Sequence, residues 1–361
     1  MSHSELAIAE VDTPQTVFAA SPNHIAPSQQ DAIETATRTL QGCPHCSSLM
    51  SNVEMQFCSA RSTSKWSIVR CQDCATMYTF PRPSEREMEL SYPNDYFAYH
   101  VGRPRSSWSA KLRRAVQLSF APNLGRKEHN AKRLRWNAAM SRIPILGRLF
   151  ELGIFAPFGD RALVDIGCGA GHFLSKMRAI GWDVIGADRC EQAADRAMKS
   201  LGIPVVVGNF PEVDLPDESF DLVTAWQVLE HLDRPRPSLA RMRRLLRPDG
   251  KLIITVPNQA GWGAKRFGAD WIGNDLPRHL THFSRQTLAR MLEAEGFEIL
   301  FLGAIPQSGW VRRSARQLET SRTSFTNSLL KHRLASTLYT TAAGFCGASE
   351  TLLAIATSKI S

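Results

Sequence analysis

The chain has 361 residues, enough for one sizeable core and a smaller module. Its hydrophobic fraction of 43% is ordinary for a globular protein, and no run of 18 consecutive apolar residues predicts a membrane span. The net charge of +9 is concentrated between Arg103 and Arg148, where twelve Lys or Arg accompany a single acid, Glu128. We expect the solvated face of one or two helices there, with contact to nucleic acid, anionic lipid or a phosphorylated substrate as the alternatives.

The first 40 residues are rich in Ser, Pro, Gln, Thr and Ala, and Arg38 is their one Lys or Arg. They lack the basic start and the apolar centre of a signal peptide or a transit peptide. Their composition predicts a disordered tail, and we expect a cytoplasmic protein.

Four of the eight cysteines form two C-x-x-C pairs with 24 residues between them. The four are Cys43, Cys46, Cys71 and Cys74. Four thiolates at this spacing predict a zinc site, which is structural because four protein ligands leave no position for a substrate. A hairpin with strands at 53–58 and 66–70 is expected between the pairs. Disulfides are the alternative, but the other four cysteines are scattered singly in a chain expected to be cytoplasmic.

From residue 161 onward, predicted strands alternate with helices. The strands cover 163–166, 182–187, 204–207, 220–226, 251–256, 297–301 and 350–356, and an amphipathic helical segment covers 307–347. This alternation predicts an α/β fold with a parallel sheet and helices on both faces. Ligands bind such sheets at the carboxyl ends of the strands.

The first of these strands runs into a glycine turn and then a helix. Gly167, Gly169 and Gly171 follow Asp165 closely. Backbone N–H groups at such a turn bind anionic ligands. A dinucleotide fingerprint has its third glycine at the sixth position, but here it stands at the fifth. The pattern resembles the first motif of the class I S-adenosylmethionine methyltransferases.

This resemblance assigns cofactor-binding roles at three further strand ends. Asp188, about 20 residues past the turn, would accept the ribose hydroxyls, or else cap the following helix. Asn209 would read the adenine amino group, where the family often has an acid, and Phe210 would stack on adenine or fill the core. Gln227 would lie beside the methionine end of the cofactor.

Two later runs resemble a group of bacterial small-molecule methyltransferases that carry an N-terminal four-cysteine zinc ribbon. These are WQVLEHL at 226–232 and HLTHFS at 279–284. A neutral imidazole near pH 7 can take a hydroxyl proton, so His279 is the candidate base, with His231 or His282 as substitutes. For His279 the alternative is a structural role, in which a backbone contact of the ring fixes the loop. For His231 we favour the structural alternative, in which it forms a structural pair with Glu230.

The predicted organisation has five parts. They are a disordered tail (1–40), a zinc ribbon (41–82), a tyrosine-rich and basic linker or cap (83–150), a cofactor-binding core (151–275) and an acceptor-side region with the final strands (276–361). In the resembling group the segment after the ribbon helps to roof the acceptor pocket; a packed linker is the alternative.

The resemblance implies a Rossmann-like seven-stranded sheet, S-adenosylmethionine and structural Zn²⁺ as cofactors, and a small-molecule acceptor. The expected reaction is methyl transfer to a hydroxyl, or a carbon, of a small polar metabolite such as a sugar or natural-product intermediate. A zinc-ribbon RNA methyltransferase would use the basic run on phosphates, but HLTHFS indicates small-molecule enzymes instead, so we expect no nucleic-acid partner. A non-catalytic cofactor-binding or zinc-scaffold protein is the third alternative, and the intact glycine turn with Asp188 argues against it.

Overall fold

A computed structural model describes residues 42–59, 62–92, 158–318 and 324–359 of the chain. The predicted tail (1–40) and the basic run between Arg103 and Arg148 lie outside these residues. Within the part that is described, no helix is both long and apolar enough to cross a membrane.

The described ranges contain eleven strands and nine α-helices, in addition to short 3₁₀ helices. The strands are β1 (Ser51–Ser59), β2 (Ser62–Cys71), β3 (Met77–Phe80), β4 (Ala162–Ile166), β5 (Asp183–Asp188), β6 (Val205–Val207), β7 (Phe220–Trp226), β8 (Leu246–Pro257), β9 (Thr281–His282), β10 (Phe297–Ile305) and β11 (Thr351–Ser358). The helices are α1 (Glu85–Leu90), α2 (His172–Ala179), α3 (Glu191–Leu201), α4 (Pro235–Leu245), α5 (Trp262–Phe267), α6 (Arg285–Ala294), α7 (Ser308–Gln317), α8 (Phe325–Leu330) and α9 (Arg333–Phe345).

Seven strands form one mostly parallel sheet in the order β10-β11-β8-β7-β4-β5-β6. Strand β11 runs antiparallel to both of its neighbours, β8 and β10. From β4 the chain first builds outward through β5 and β6 and then returns to the other side of β4 with β7. The predicted Rossmann-like fold is confirmed, and the reversal beside β4 is the point where such sheets bind ligands.

The central strands are buried on both faces. Val223 and Ile254 pack in the apolar cluster on one side of the sheet, while their neighbours Leu222 and Ile253 pack in the cluster on the other. Successive strand residues point to opposite faces, so strands covered on both sides read as unbroken apolar runs. Each fully buried aliphatic side chain of this kind contributes about 1.5–3 kcal/mol.

Most strand bounds differ from the predicted ones by a few residues. Helix α2 begins at His172, because Gly171 has a φ of +77° and is not helical. Strand β8 begins at Leu246 rather than at 251. Leu246 pairs with Phe220 and Lys251 with Leu222, so the residues between them bulge out of the ladder without ending the strand.

A second sheet has the order β1-β2-β3-β9. The predicted hairpin of the cysteine module is present as β1 and β2. Strand β9 comes from the segment between α5 and α6, and its pairs with β3 are His282 with Met77 and Thr281 with Tyr78. The position of His279 and His282 after the fifth predicted strand of the core indicates a loop. His282 instead lies in β9, because β3 offers an edge to pair with.

The predicted helical segment at 307–347 contains α7, α8 and α9. Residues 319–323, between α7 and α8, lie outside the description. Helix α7 buries Val311 and Ala315 against Trp271 and Leu330, which form a small apolar cluster separate from the sheet.

Candidate functional site

The glycine turn lies between β4 and α2, at the carboxyl edge of the large sheet. Gly167, Gly169 and Gly171 have φ values of +69°, +53° and +77°, which glycine adopts without steric cost. A Cβ at Gly167 would lie 2.5 Å from Cγ2 of Val228, so a larger residue does not fit there. The turn can therefore bring backbone N–H groups close to a ligand, as the sequence predicts.

Asp165 lies beneath this turn and is buried. The Thr224 hydroxyl donates a hydrogen bond to Oδ1 of Asp165 over 2.7 Å. Burial raises the pKa of Asp165 to about 8 despite that hydrogen bond, and the nearby charge of Asp188 acts in the same direction as burial. The predicted cofactor residue Asp165 thus connects β4 to the neighbouring strand β7 through Thr224.

Asp188 ends β5 beside the turn. Its Oδ2 accepts from the N–H of Gly169 and its Oδ1 from the N–H of Cys190, each over 2.8 Å. Burial raises the pKa of Asp188, while the two backbone hydrogen bonds oppose the shift. Each carboxylate oxygen keeps a further lone pair, so the group can still accept hydroxyl donors. Cys190, and not Asp188, holds the N-cap position of α3.

The other predicted cofactor residues differ in setting. Asn209 is exposed just after β6, and Phe210 is half-buried against the core. Gln227 has a φ of +56°, which is uncommon for a residue other than glycine, and its Nε2 donates to Thr255 Oγ1 over 3.2 Å. Its Oε1 is buried without a hydrogen-bond partner among the described residues. That oxygen is an acceptor that a ligand's ammonium group could satisfy.

Two histidines from different parts of the chain meet next to this edge. The rings of His231 and His279 are arranged edge to face, with centroids 4.6 Å apart. Nδ1 of His231 lies 2.9 Å from the carbonyl of Arg278, and Nδ1 of His279 lies 2.8 Å from the carbonyl of Gly273. A carbonyl only accepts, so both Nδ1 atoms carry the hydrogen and both Nε2 atoms hold a lone pair.

Burial lowers the pKa of His231 and of His279 to about 3, and each also feels a neighbouring histidine. Both rings are consequently neutral at neutral pH. Oδ2 of Asp275 lies 3.7 Å from Nε2 of His279, where its charge would stabilise a proton taken up by that nitrogen. The arrangement is that of a proton acceptor with a carboxylate beside it.

Tyr92 connects the cofactor edge to the histidines. The Arg189 guanidinium, adjacent in sequence to Asp188, lies 4.2 Å from the centroid of the Tyr92 ring. The Tyr92 hydroxyl lies 3.1 Å from Nδ1 of His231. The tyrosine-rich segment after the ribbon thus reaches the site, although its remainder from residue 93 onward lies outside the description.

The third predicted histidine has a different environment. Thr79 donates its hydroxyl hydrogen to the carbonyl of His279 over 2.6 Å, so it accepts from Nε2 of His282 at 3.0 Å. His282 therefore binds β9 to the ribbon strand β3. Thr79 and Asp275, which contact these histidines, are not singled out by the sequence analysis, and Tyr92 is included there only as part of the tyrosine-rich segment. No local motif marks Thr79 or Asp275, because each acts through a contact made by the fold.

Glu230 is fully buried, and neither of its carboxylate oxygens has a hydrogen-bond partner among the described residues. Burial raises the pKa of Glu230 well above its usual value. One ligand atom each from Glu230, His231 and His279 lie within 4.8 Å of one another. These three groups could share a proton or hold a divalent cation.

The four predicted zinc ligands also come together, with all four sulfur atoms within 4.8 Å of one another. The Sγ atoms are 3.4 Å apart for Cys43 and Cys74 and 3.5 Å apart for Cys46 and Cys71. A disulfide would need about 2.05 Å, whereas four sulfurs roughly 2.3 Å from one zinc ion stand about 3.8 Å apart. The donor set fits zinc, and the described cysteines form no disulfide.

Side chains of the core hold this cysteine cluster in place. Arg236 on α4 donates to the carbonyl of His45 over 3.1 Å, and Arg290 on α6 donates to the carbonyl of Cys74 over 3.2 Å. Together with the β3–β9 pairing, these contacts attach the cysteine module to the core.

Comparison with known proteins agrees with the fold. Residues 126–301 match a family described as a methyltransferase domain. The ubiquinone biosynthesis O-methyltransferase of Cereibacter sphaeroides is 32% identical over 142 residues, which are 37% of this chain and 58% of that protein. The enzyme of the same name from Thiobacillus denitrificans is 30% identical over 159 residues, covering 40% of this chain and 67% of that protein.

A crystal structure of an S-adenosylmethionine-dependent methyltransferase from Mesorhizobium loti superposes with a TM-score of 0.40 and 17% identity, covering 63% of this chain and 98% of that one. The chain spans 58% to 67% of the length of the two curated relatives described above. The family match, the two curated relatives and the seven-stranded sheet show that the chain belongs to the S-adenosylmethionine-dependent methyltransferases.

Proposed function

We propose that the enzyme transfers a methyl group to a hydroxyl of a small polar metabolite, such as a sugar or natural-product intermediate. The observation that carries this proposal is the pair of neutral imidazoles, His231 and His279, with Nε2 lone pairs beside the cofactor edge. Two relatives named O-methyltransferases support oxygen as the accepting atom. Transfer to carbon is the alternative within the same site.

The cofactor-binding roles follow from the strand ends. Asp188 would accept the ribose hydroxyls, and Gln227 Oε1 would accept from the α-ammonium group. Asn209 and Phe210 would contact the adenine. When bound, S-adenosylmethionine supplies an electrophilic methyl group, and the acceptor must be held in line about 3–3.5 Å away.

His279 is the proposed base. Its Nε2 would take the hydroxyl proton as the acceptor oxygen gains the methyl group. Burial that lowers its pKa keeps the ring neutral and able to accept, and Asp275 stabilises the positive charge that results. His231 is the second candidate, because its Nε2 is equally unprotonated. His282 would position the loop through Thr79.

A structural Zn²⁺ held by Cys43, Cys46, Cys71 and Cys74 is part of the proposal. Its role would be to fold the ribbon, so that β3 presents Thr79 to the histidine loop. A small module with little apolar surface to bury gains most of its stability from such a metal.

The class of acceptor can be tested with cofactor labelled in its methyl group. The enzyme is incubated with a cell lysate, with and without ribonuclease, and the label is separated into small-molecule and nucleic-acid fractions. We expect label in small molecules, unaffected by ribonuclease and absent with Asp188→Ala. Label in RNA that ribonuclease removes would instead assign the enzyme to RNA methylation.

A further inference from the structure

Helices α8 and α9 present large apolar side chains to the outside. On α9, Leu334, Leu338 and Phe345 are 74%, 62% and 61% exposed. On α8, Phe325 and Leu329 are 84% and 48% exposed. We call these five side chains the C-terminal apolar face. Five large apolar side chains exposed on two helices that pack against each other indicate a binding surface.

The pattern of α9 is the reverse of an ordinary amphipathic helix. Its buried positions carry Ser336, Thr340, Ala343 and Gly344, which are small or polar. Leu334, Leu338 and Phe345, spaced by four and seven residues, share the opposite side. The bulk of the apolar surface in this helix is thus on its outer side.

Specific contacts fix α9 in this orientation. Nη1 of Arg312 on α7 donates to the hydroxyl of Ser336 over 3.1 Å, and the Ser349 hydroxyl donates to the carbonyl of Thr340 over 2.9 Å. Rolling the helix to bury its leucines would break the contact with Arg312. The outward leucines therefore belong to the packed state of the protein.

The charges around this face have one sign. The sequence from 320 to 349 contains no Asp or Glu. Lys331 lies between the two helices in sequence, and Arg333 is the first residue of α9. Arg266 on α5 donates to Thr326 and Asn327, so a third cation borders α8.

We propose that the C-terminal apolar face binds the surface of an anionic membrane. A helix that lies in the membrane interface buries apolar side chains about 5–10 Å deep and keeps its cations at the lipid phosphates. The C-terminal apolar face offers that combination of apolar side chains and nearby cations. A second copy of the chain would instead bring Lys331 and Arg333 close to like charges. The inference does not depend on which molecule accepts the methyl group.

The test uses sedimentation of the full chain with lipid vesicles. One set is phosphatidylcholine alone, and the other contains about one third phosphatidylglycerol. We expect binding to the anionic vesicles, weakened by salt, and much less to the neutral ones. Equal binding to both sets, or none to either, would overturn the proposal.

Because the basic run at 103–148 could also attract anionic vesicles, the decisive variant is Leu334→Ser with Leu338→Ser, which keeps every charge. We expect its partition onto anionic vesicles to fall about tenfold, since two leucines leave the apolar contact. Leu90→Ser, at a leucine 77% exposed on α1, is the matched control and should bind normally.

Unchanged binding of the double variant, with thermal unfolding like that of the parent, would refute a role for this face. A concentration-dependent dimer that the double variant abolishes would also refute the lipid proposal, because it would assign the face to a second copy.

Discussion

The cofactor edge and the cluster of His231, His279 and His282 are built in different ways. At the cofactor edge, the N–H of Gly169 in the glycine turn donates to Asp188 at the end of the next strand. At the histidine cluster, Thr79 meets His282 across 203 residues of sequence, and Tyr92 meets His231 across 139. The first region depends on local backbone conformation and the second on tertiary contacts. We therefore expect a substitution in one region to leave the other region intact.

The largest expected effect comes from Cys71→Ser, which removes a thiolate from the cysteine cluster. A structural zinc site contributes about 10–16 kcal/mol to folding of small zinc modules, so the ribbon should unfold and release the metal. Metal analysis should find one zinc per chain in the parent and little in the variant. We expect turnover to disappear while cofactor binding, measured by calorimetry, persists.

Cys346→Ser, at an exposed cysteine outside the cluster, is the control and should keep both zinc and turnover. If Cys71→Ser abolished cofactor binding as well, the two regions would not be separable.

Asp188→Ala tests the cofactor edge alone. Loss of the ribose acceptor and of the Gly169 contact should weaken cofactor binding on the order of 100-fold, because hydrogen bonds to a charged group contribute about 1.5–3 kcal/mol each. Zinc content should not change. Asp183→Ala, at the exposed start of the same strand, should bind the cofactor as the parent does. Calorimetry that shows equal affinity for Asp188→Ala would exclude the ribose role.

His279→Gln and His282→Gln separate catalysis from positioning. A general base contributes about 10²- to 10⁴-fold, so His279→Gln should lower kcat by that range with normal cofactor affinity. At position 282 the glutamine amide can replace the Nε2 donor to Thr79, and kcat should stay within about tenfold. The reverse order of the two kcat values would make His282 the base.

Among these variants, Glu230→Gln should have the smallest effect. It should change the stability of the folded protein and not its binding of the cofactor. The folded pKa of Glu230 is raised above the ordinary value of 4.5, so the carboxyl favours the folded state below pH 4.5. That contribution is lost as the pH rises, because the unfolded state ionises first. The variant should thus gain stability relative to the parent between pH 5 and pH 8, by about 1–3 kcal/mol.

Thermal unfolding at both pH values, with Glu293→Gln on the exposed side of α6 as the control, measures this difference. A constant difference across the range would mean that Glu230 does not titrate as a buried, unpartnered carboxyl.

The sequence predicts the strands and the turn at the cofactor edge because their signals are local. Apolar runs mark β4 and β7, and the spacing of Gly167, Gly169 and Gly171 marks the turn. Strand β9 and the Thr79 bridge leave no such signal. Two residues are too few for a periodic pattern, and a threonine inside a strand is ordinary. The tautomers of His231 and His279 likewise depend on carbonyls whose positions only the tertiary fold provides.

Strand β9 also determines what can be exchanged between related enzymes. Thr281 and His282 belong to the core in sequence but pair in the sheet of the cysteine module. The two parts of the molecule are therefore joined through a shared sheet and not only through a linker. Replacing the ribbon with that of another enzyme would leave β9 facing an unmatched edge and His282 without Thr79. A functional chimera should therefore exchange the ribbon and the 275–283 segment together, as one inherited unit.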